Sequence, residues 1–449
     1  MWAPLFVYPK PNKFSGGKKN VKKSHRMSVF ILAAITCLLS ISLLSTSLYA
    51  QYSVSETFVF QKSIGSQPNS LVEDSAGNFY GVAPYGGDSF CETLGCGTVF
   101  EVTNSGGSLN ATVIHEFTGG ADGFVPVQIA LDASGNIYGV AYGGQQSNGK
   151  VFKMVPQAGG GWSYAILFSF PDKVANGAHP VALVLDGKGN IYGETSWGGG
   201  YACAGGCGVV FELSPSGSSW KQTVLYRFTG RPDGALAYGR MILDSSGHLF
   251  GTTLSGGAHC SNGLGCGTVY ELSPTASGSW TESVLHRFNF TDGAGPSSLI
   301  QDASGNLFGV TGTGGIQNGN CFSGCGTIFR LSHTSTGWSS SSIYQFTGSM
   351  ADGAYPNSVI ANGGNLFVAA SFPVSGAYGV ISELSPKNGG WSESPLFVFS
   401  NGLGGSDPTS LLMDASGNIF GSALYGGDVN GQLAGDGAVF ELSPAASRR

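Results

Sequence analysis

The chain has 449 residues, of which 73 are glycine and 11% are charged, with 41% hydrophobic and 12% aromatic side chains. Glycine at more than twice its usual level marks a turn-rich chain, and the apolar and aromatic content excludes intrinsic disorder. Seven of the 21 basic residues fall in the first 26 positions with no acid among them, leaving 14 basic against 27 acidic side chains in residues 51–449. That net −13 disfavours nucleic-acid binding and keeps an exported body soluble.

Lys10, Lys13, Lys18, Lys19, Lys22, Lys23 and Arg26 precede an uncharged, largely apolar run from Met27 to Ala50. Residues 1–51 therefore read as a basic leader plus a signal peptide or signal-anchor. Cleavage after Ala50 fits, although Leu48 is larger than the residue usually found there; the run is also long enough to span a bilayer uncleaved. On both readings the remainder is extracytoplasmic (secreted, periplasmic or at the cell surface), with membrane contact only through the N-terminal segment.

From residue 52 onward the chain is organised by one stretch, Asp132-Ala-Ser-Gly-Asn-Ile-Tyr-Gly139. It returns at 74–81, 186–193, 244–251, 302–309 and 414–421, and in a degenerate form at 361–368. Asp and Asn tolerate left-handed backbone and Gly adopts it without strain, so each copy is a hairpin signal. Seven units of 53–59 residues, each with four strand-like segments, fill residues 52–449. In one unit these segments are 224–228, 239–243, 248–253 and 267–272. No helical apolar stripe interrupts them, so the prediction is all-β, a seven-bladed β-propeller of seven four-stranded repeats. Two phasings of the blades stay open; in one, the N-terminal strand completes the last blade.

In an up-and-down blade the first and third connections share a face. The first holds the Asp-Gly turns (Asp122-Gly123, Asn176-Gly177, Asp233-Gly234, Asp292-Gly293, Asp352-Gly353) and the third is the longest and most variable. This face is the candidate binding face. Cys37 lies in the leader, and the other eight cysteines pair within third connections: Cys91 with Cys96, Cys203 with Cys207, Cys260 with Cys266, Cys321 with Cys325. Four local disulfides are the favoured reading; a metal site is the rival, though pairs on different blades would sit too far apart for one ion. No metal and no cofactor is expected.

The recurring Asp-Gly-x-x-Pro, Leu-x-x-Asp-x-x-Gly-Asn-Leu-Phe/Tyr-Gly, Gly-Gly and Cys-Gly-Thr-Val-Phe-Glu-Leu-Ser-Pro motifs, in fixed order over 57–444, resemble the GloVer tandem-repeat proteins of bacteria. The resemblance implies an exported β-propeller with no assigned activity. Relatives often end in an anchoring segment, whereas this chain ends Pro444-Ala-Ala-Ser-Arg-Arg449, so release or N-terminal retention is expected.

No Gly-x-Ser-x-Gly elbow, phosphate loop or His-Glu-x-x-His pattern is present, so catalytic residues stay unassigned. His115 and His286 stand where other units carry an aromatic ring and read as packed rings; His259, beside Cys260, reads as a surface candidate. Glu194 stands where other units carry Val82, Val140, Thr252, Val310 and Ser422; it reads as solvent-facing at a blade edge, with a catalytic carboxylate as alternative. Tyr85, Tyr142, Trp197 and Tyr425 open third connections and are the candidate binding residues, the alternative being packing beneath the loops. Trp162, Trp220, Trp280, Trp338 and Trp391, on the opposite side, read as pegs between blades. The expected function is a binding or scaffold module for a glycan or an extracellular protein, working as a monomer. The alternative is a secreted polysaccharide lyase or hydrolase with its site at the propeller mouth.

Overall fold

The computed structural model describes residues 52–444, apart from 89–90, 92–93, 105–107, 145–146, 172–173, 201, 259, 261–263, 336, 372–377, 400–404 and 427–434. The expected leader, 1–51, lies outside the described residues. Seven antiparallel sheets form seven blades. From the innermost strand outward, blade 1 is Asn69–Glu73, Phe79–Ala83, Thr98–Asn104 and Leu109–Glu116; blade 2 is Phe124–Leu131, Ile137–Gly143, Lys150–Pro156 and Trp162–Ser169. Blade 3 is Ala178–Leu185, Ile191–Trp197, Val209–Ser216 and Ser219–Arg227. Blade 4 has a split inner strand, Ala235–Ala237 and Ile242–Leu243, then Leu249–Ser255, Thr268–Pro274 and Trp280–Arg287. Blade 5 is Ala294–Gln301, Leu307–Thr313, Thr327–Thr334 and Gly337–Gln345; blade 6 is Ala354–Asn362, Asn365–Ser371, Val380–Lys387 and Gly390–Val398.

Blade 7 takes Ser406–Met413, Ile419–Tyr425 and Ala438–Pro444, and its outer strand is the N-terminal Tyr52–Val59, paired antiparallel with Ala438–Pro444. The phase is thereby fixed: the N-terminal strand closes the ring, and the Asp-Gly turn carries the chain from the outer strand of one blade to the inner strand of the next.

The hairpin repeat works through its Asp. Asp132 Oδ1 accepts the backbone N–H of Ser134 at 2.9 Å and of Asn136 at 3.0 Å, while Oδ2 accepts Asn136 Nδ2 at 2.7 Å. The same set recurs at Asp74, Asp186, Asp302 and Asp414. Partial burial pushes the Asp132 carboxyl up, but the bonds from Asn136 and Ser134 outweigh it and hold it below the usual carboxylate range.

The glycine that closes each repeat has a packing reason. A Cβ on Gly139 would collide with the ring of Phe152, and one on Gly309 with Phe329. In degenerate blade 6 the sizes exchange, Val368 facing Ser382 across the strands. Each such ring also packs edge-to-face with a ring from the preceding blade: Phe117 with Phe152, Phe170 with Phe211, Phe288 with Phe329 and Phe399 with Phe440, with centroids 5.1–5.5 Å apart. Edge-to-face contact between buried rings therefore joins one blade to the next. On the other face, Trp162 meets Tyr80, Trp280 meets Tyr192, Trp338 meets Phe250 and Trp391 meets Phe308, each on the preceding blade. These four tryptophans act as pegs, as their spacing predicts.

Candidate functional site

The cysteines form four disulfides within single loops, Cys91–Cys96, Cys203–Cys207, Cys260–Cys266 and Cys321–Cys325, with Cα atoms 4.9–5.4 Å apart. They point to an oxidising, extracytoplasmic setting. Their sulfurs lie against turn glycines: the Cys91–Cys96 pair against Gly119, Cys203–Cys207 against Gly230 and Cys321–Cys325 against Gly348. At Gly119 (φ +74°) a Cβ would strike the Cys91 sulfur. The long connections and the Asp-Gly turns thus touch, and they share one face.

That face meets the central channel at a strained ring. Gln67, Val125, His179, Leu236, Tyr355 and Asp407 have φ between +54° and +62°, with Gly295 at +63° in the seventh place. Six non-glycine residues hold a conformation that favours glycine, and such strain collects at binding and switch sites. Each of the seven donates its N–H to a loop carbonyl of the preceding blade at 2.6–3.0 Å, the acceptors including Cys96, Cys207, Cys266 and Cys325. The second cysteine of every disulfide therefore carries the acceptor for the next blade.

Large exposed apolar side chains among the described residues are confined to this face and the channel. Leu94, Leu264 and Phe322 sit inside disulfide loops, Phe322 being 79% exposed. Ile316 lies in a long connection, Met350 in an Asp-Gly turn, Tyr425 at the start of blade 7's connection, and Tyr238 on blade 4's inner strand.

The four candidate aromatics do not form an equivalent set. Trp197 and Tyr425 pair with the first inner-strand residues Ala178 and Ser406, and Tyr85 bridges Ser66 in the same way, but in blade 2 the partner of Phe124 is Gly143. Tyr142 lies one residue earlier, so strand alternation turns its side chain to the other side. It stacks on His179 of blade 3 with centroids 4.1 Å apart, and the His179 Nδ1–H donates to the Tyr142 carbonyl at 2.9 Å. Burial lowers the His179 imidazole and raises the Tyr142 phenol. Trp197 meets His179 edge-on at 6.2 Å and packs beneath Gly205 of the disulfide loop. Tyr85 is half-buried, and Tyr425 is 45% exposed. The structure thus brings Tyr142 and Trp197 together around His179 and leaves Tyr425 the most open ring of the four.

Glu194 is a correction. It is fully buried between blades 3 and 4 instead of lying at a solvent-facing edge, because its strand position points into the neighbouring blade. Its Oε1 accepts a short hydrogen bond from the Tyr270 hydroxyl, and its Oε2 has no partner among the described residues. Tyr270 stands where other blades carry Phe100, Phe152, Phe211, Phe329 and Phe440, so acid and phenol depart from the repeat together. Burial pushes the Glu194 carboxyl up to about 8, only partly offset by the Tyr270 bond. A carboxyl without solvent access cannot touch a substrate.

His286 Nε2 lies 2.9 Å from Asp292 Oδ2 in the next turn, and His115 stacks on Tyr164 at 3.9 Å. Both are packed rings, as their positions predict, while His259 lies outside the described residues. Sequence reasoning missed Tyr238 and Arg240, on the inner strand of blade 4, reading 239–243 as one strand. The available signal was spacing: ten positions separate Gly234 from Asp244, against nine from Gly293 to Asp302.

The chain is similar to the PQQ-bound aldose sugar dehydrogenase of Streptomyces coelicolor (15% identity, 86% of this chain and 97% of that one, TM-score 0.44). It is also similar to a protein from Lactobacillus plantarum (14% identity, 76% and 94% covered, TM-score 0.49). Neither likeness carries a functional inference. No curated protein matches the chain. The Gloeobacter/Verrucomicrobia repeat matches at residues 45–263, 141–360 and 264–449, which together span the whole propeller, and the chain belongs to that repeat family.

Proposed function

We propose that this chain is an exported recognition module whose disulfide-braced face docks a protein partner, with the basic N-terminal segment as its export signal. One observation carries the reading: large exposed apolar side chains gather on one face, three of them displayed by loops that a disulfide stiffens. Exposed apolar groups gathered on one face mark interaction surfaces, and stiffened loops lose less entropy on binding. Aliphatic and Met side chains suit a protein surface better than a sugar, and the flat rings a glycan would need are partly used up in the Tyr142–His179–Trp197 contacts. The hydrolase or lyase alternative loses its best acid with the burial of Glu194.

The test places a photo-crosslinking residue at Phe322 or Leu264, with Lys221 on the outer strand of blade 3 as control, in cells of the source organism. Adducts are expected from the two loop positions and not from Lys221, those at the Phe322 position being lost on Leu264→Ser and those at the Leu264 position on Phe322→Ser. Equal labelling at Lys221, or glycan-array binding unchanged by Leu264→Ser with Phe322→Ser, would overturn the reading.

A further inference from the structure

Blade 4 breaks the repeat where its inner strand faces the central channel. From turn glycine to hairpin Asp the count is nine in Gly65 to Asp74, Gly123 to Asp132, Gly177 to Asp186, Gly293 to Asp302 and Gly405 to Asp414, but ten in Gly234 to Asp244. The proline at 68, 126, 180, 296, 356 and 408 is Ala237 here. The extra residue splits the strand. Ala235–Ala237 and Ile242–Leu243 pair with Leu249–Ser255, while residues 238–241 bulge between them. Bulges of this kind re-aim side chains and favour the surroundings of functional sites.

The bulge is held firmly. Tyr238 N–H donates to the Thr252 carbonyl at 3.1 Å, and the Thr252 hydroxyl donates back to the Tyr238 carbonyl. Gly239 (φ +101°) lies so close to the Ser297 carbonyl of blade 5 that no Cβ fits, and Met241 is buried. Tyr238 is 48% exposed and Arg240 partly exposed. Both belong to the innermost segment of blade 4, the edge of its sheet that borders the channel, with blades 3 and 5 on either side. The surrounding protein partly desolvates both groups, raising the Tyr238 phenol and lowering the Arg240 guanidinium.

Arg240 makes no hydrogen bond or ion pair with any described residue, and among the inner strands and this bulge it is the one Lys or Arg. The corresponding inner-strand positions on either side carry no charge: Val181 and Ala182 on blade 3, Ser297 and Ser298 on blade 5. An unpaired guanidinium on a bulge whose backbone is held in place suits a planar anion, since its donor fork matches a carboxylate in two parallel bonds. A phosphate dianion would need a second cation, and the inner strands supply Glu73 and Asp407 instead.

We propose that Arg240 and Tyr238 form a channel subsite that binds small monocarboxylates, the guanidinium taking the carboxylate and the phenol ring the adjoining carbon skeleton. The inference stands independently of the protein-docking reading.

The test titrates purified propeller, disulfides intact, with glucuronate, lactate and acetate, using glucose and inorganic phosphate as the neutral and dianionic comparisons, by calorimetry. Saturable binding of at least one monocarboxylate is expected, weakened at least tenfold in Arg240→Gln and less in Arg240→Lys, with circular dichroism unchanged. In parallel, an arginine-directed glyoxal reagent should modify Arg240 and be blocked by the bound carboxylate. No saturable monocarboxylate binding, binding unchanged in Arg240→Gln, or phosphate binding at least as tightly would each overturn the proposal.

Discussion

Blades 4 and 5 are neighbours written in the same repeat, and they join their predecessors by different physics. At blade 5 Phe288 and Phe329 meet edge-to-face, Gly309 leaves room for the Phe329 ring, and the inner strand runs unbroken from Ala294 to Gln301. At blade 4 the ring is Tyr270, its hydroxyl holds the buried Glu194, and the inner strand is interrupted by residues 238–241. The Phe288–Phe329 contact of the first is apolar and holds no titrating group. The second keeps the ring contact, Phe228 meeting Tyr270 edge-to-face at 5.1 Å, and adds a buried acid beside Gly251, on the strand that pairs with both halves of the interrupted inner strand. Where a repeat protein departs from its own rules without loss of fold, function is the expected reason.

The largest effect is expected from breaking the regular junction. Phe329→Ala empties a fully buried ring site and should cost about 3–5 kcal/mol in denaturant unfolding, as large-to-small core changes do.

Next comes regularising the irregular one. The fold raises the Glu194 carboxyl, so its contribution is fully present below the ordinary glutamate value and is lost as pH rises through about 8. That loss runs at about 1.4 kcal/mol per pH unit within the window, or a few kcal/mol in all. Glu282, pushed up to about 7 chiefly by burial, adds to it in the same direction. Asp74 and Asp132, held low by hairpin hydrogen bonds, act oppositely and lose their contribution as pH falls below the usual aspartate range. Stability should therefore peak at mildly acidic pH. The double substitution Glu194→Val with Tyr270→Phe should flatten the alkaline limb and be more stable than the parent at pH 8; an unchanged limb would mean that Glu194 is not its source.

Smaller effects separate bracing from packing. Cys260→Ser with Cys266→Ser should lower stability by about 2 kcal/mol, the chain-entropy value for so short a loop, read as a drop in Tm. Phe322→Ser, on the exposed face, should stay within about 0.5 kcal/mol of the parent while removing crosslinking from the Leu264 position.

Most of the architecture was legible because it is repeated: the Asp132 hairpin, the glycine under Phe152 and the tryptophan pegs are local chemistry written many times over. The disulfides were equally legible, since each pair falls within one loop. The site was less so. A one-residue slip in blade 2 sends Tyr142 against His179, and side-chain alternation makes any such slip decisive, yet the Tyr-Gly-Gly motif looks the same in either register. Glu194 was visible as an exception, but its partner Tyr270 lies 76 positions away and only the fold brings them together. Tyr238 and Arg240 were hidden by reading an apolar segment as a strand when the one-residue excess already spoke against it.

The pairing of Tyr52–Val59 with Ala438–Pro444 has a consequence for the order of events in folding. Roughly 380 residues separate the two strands, so bringing them together costs about 5 kcal/mol of chain entropy on the logarithmic loop rule. In a chain that emerges N-terminus first, the strand available earliest is the one that must wait longest for its partner. Blades 1 to 6 can each complete locally, while the outer edge of blade 7 stays unpaired and open to other chains until the end. The last contact made is thus the one that turns a row of blades into a ring, and only then do the inner strands enclose Arg240.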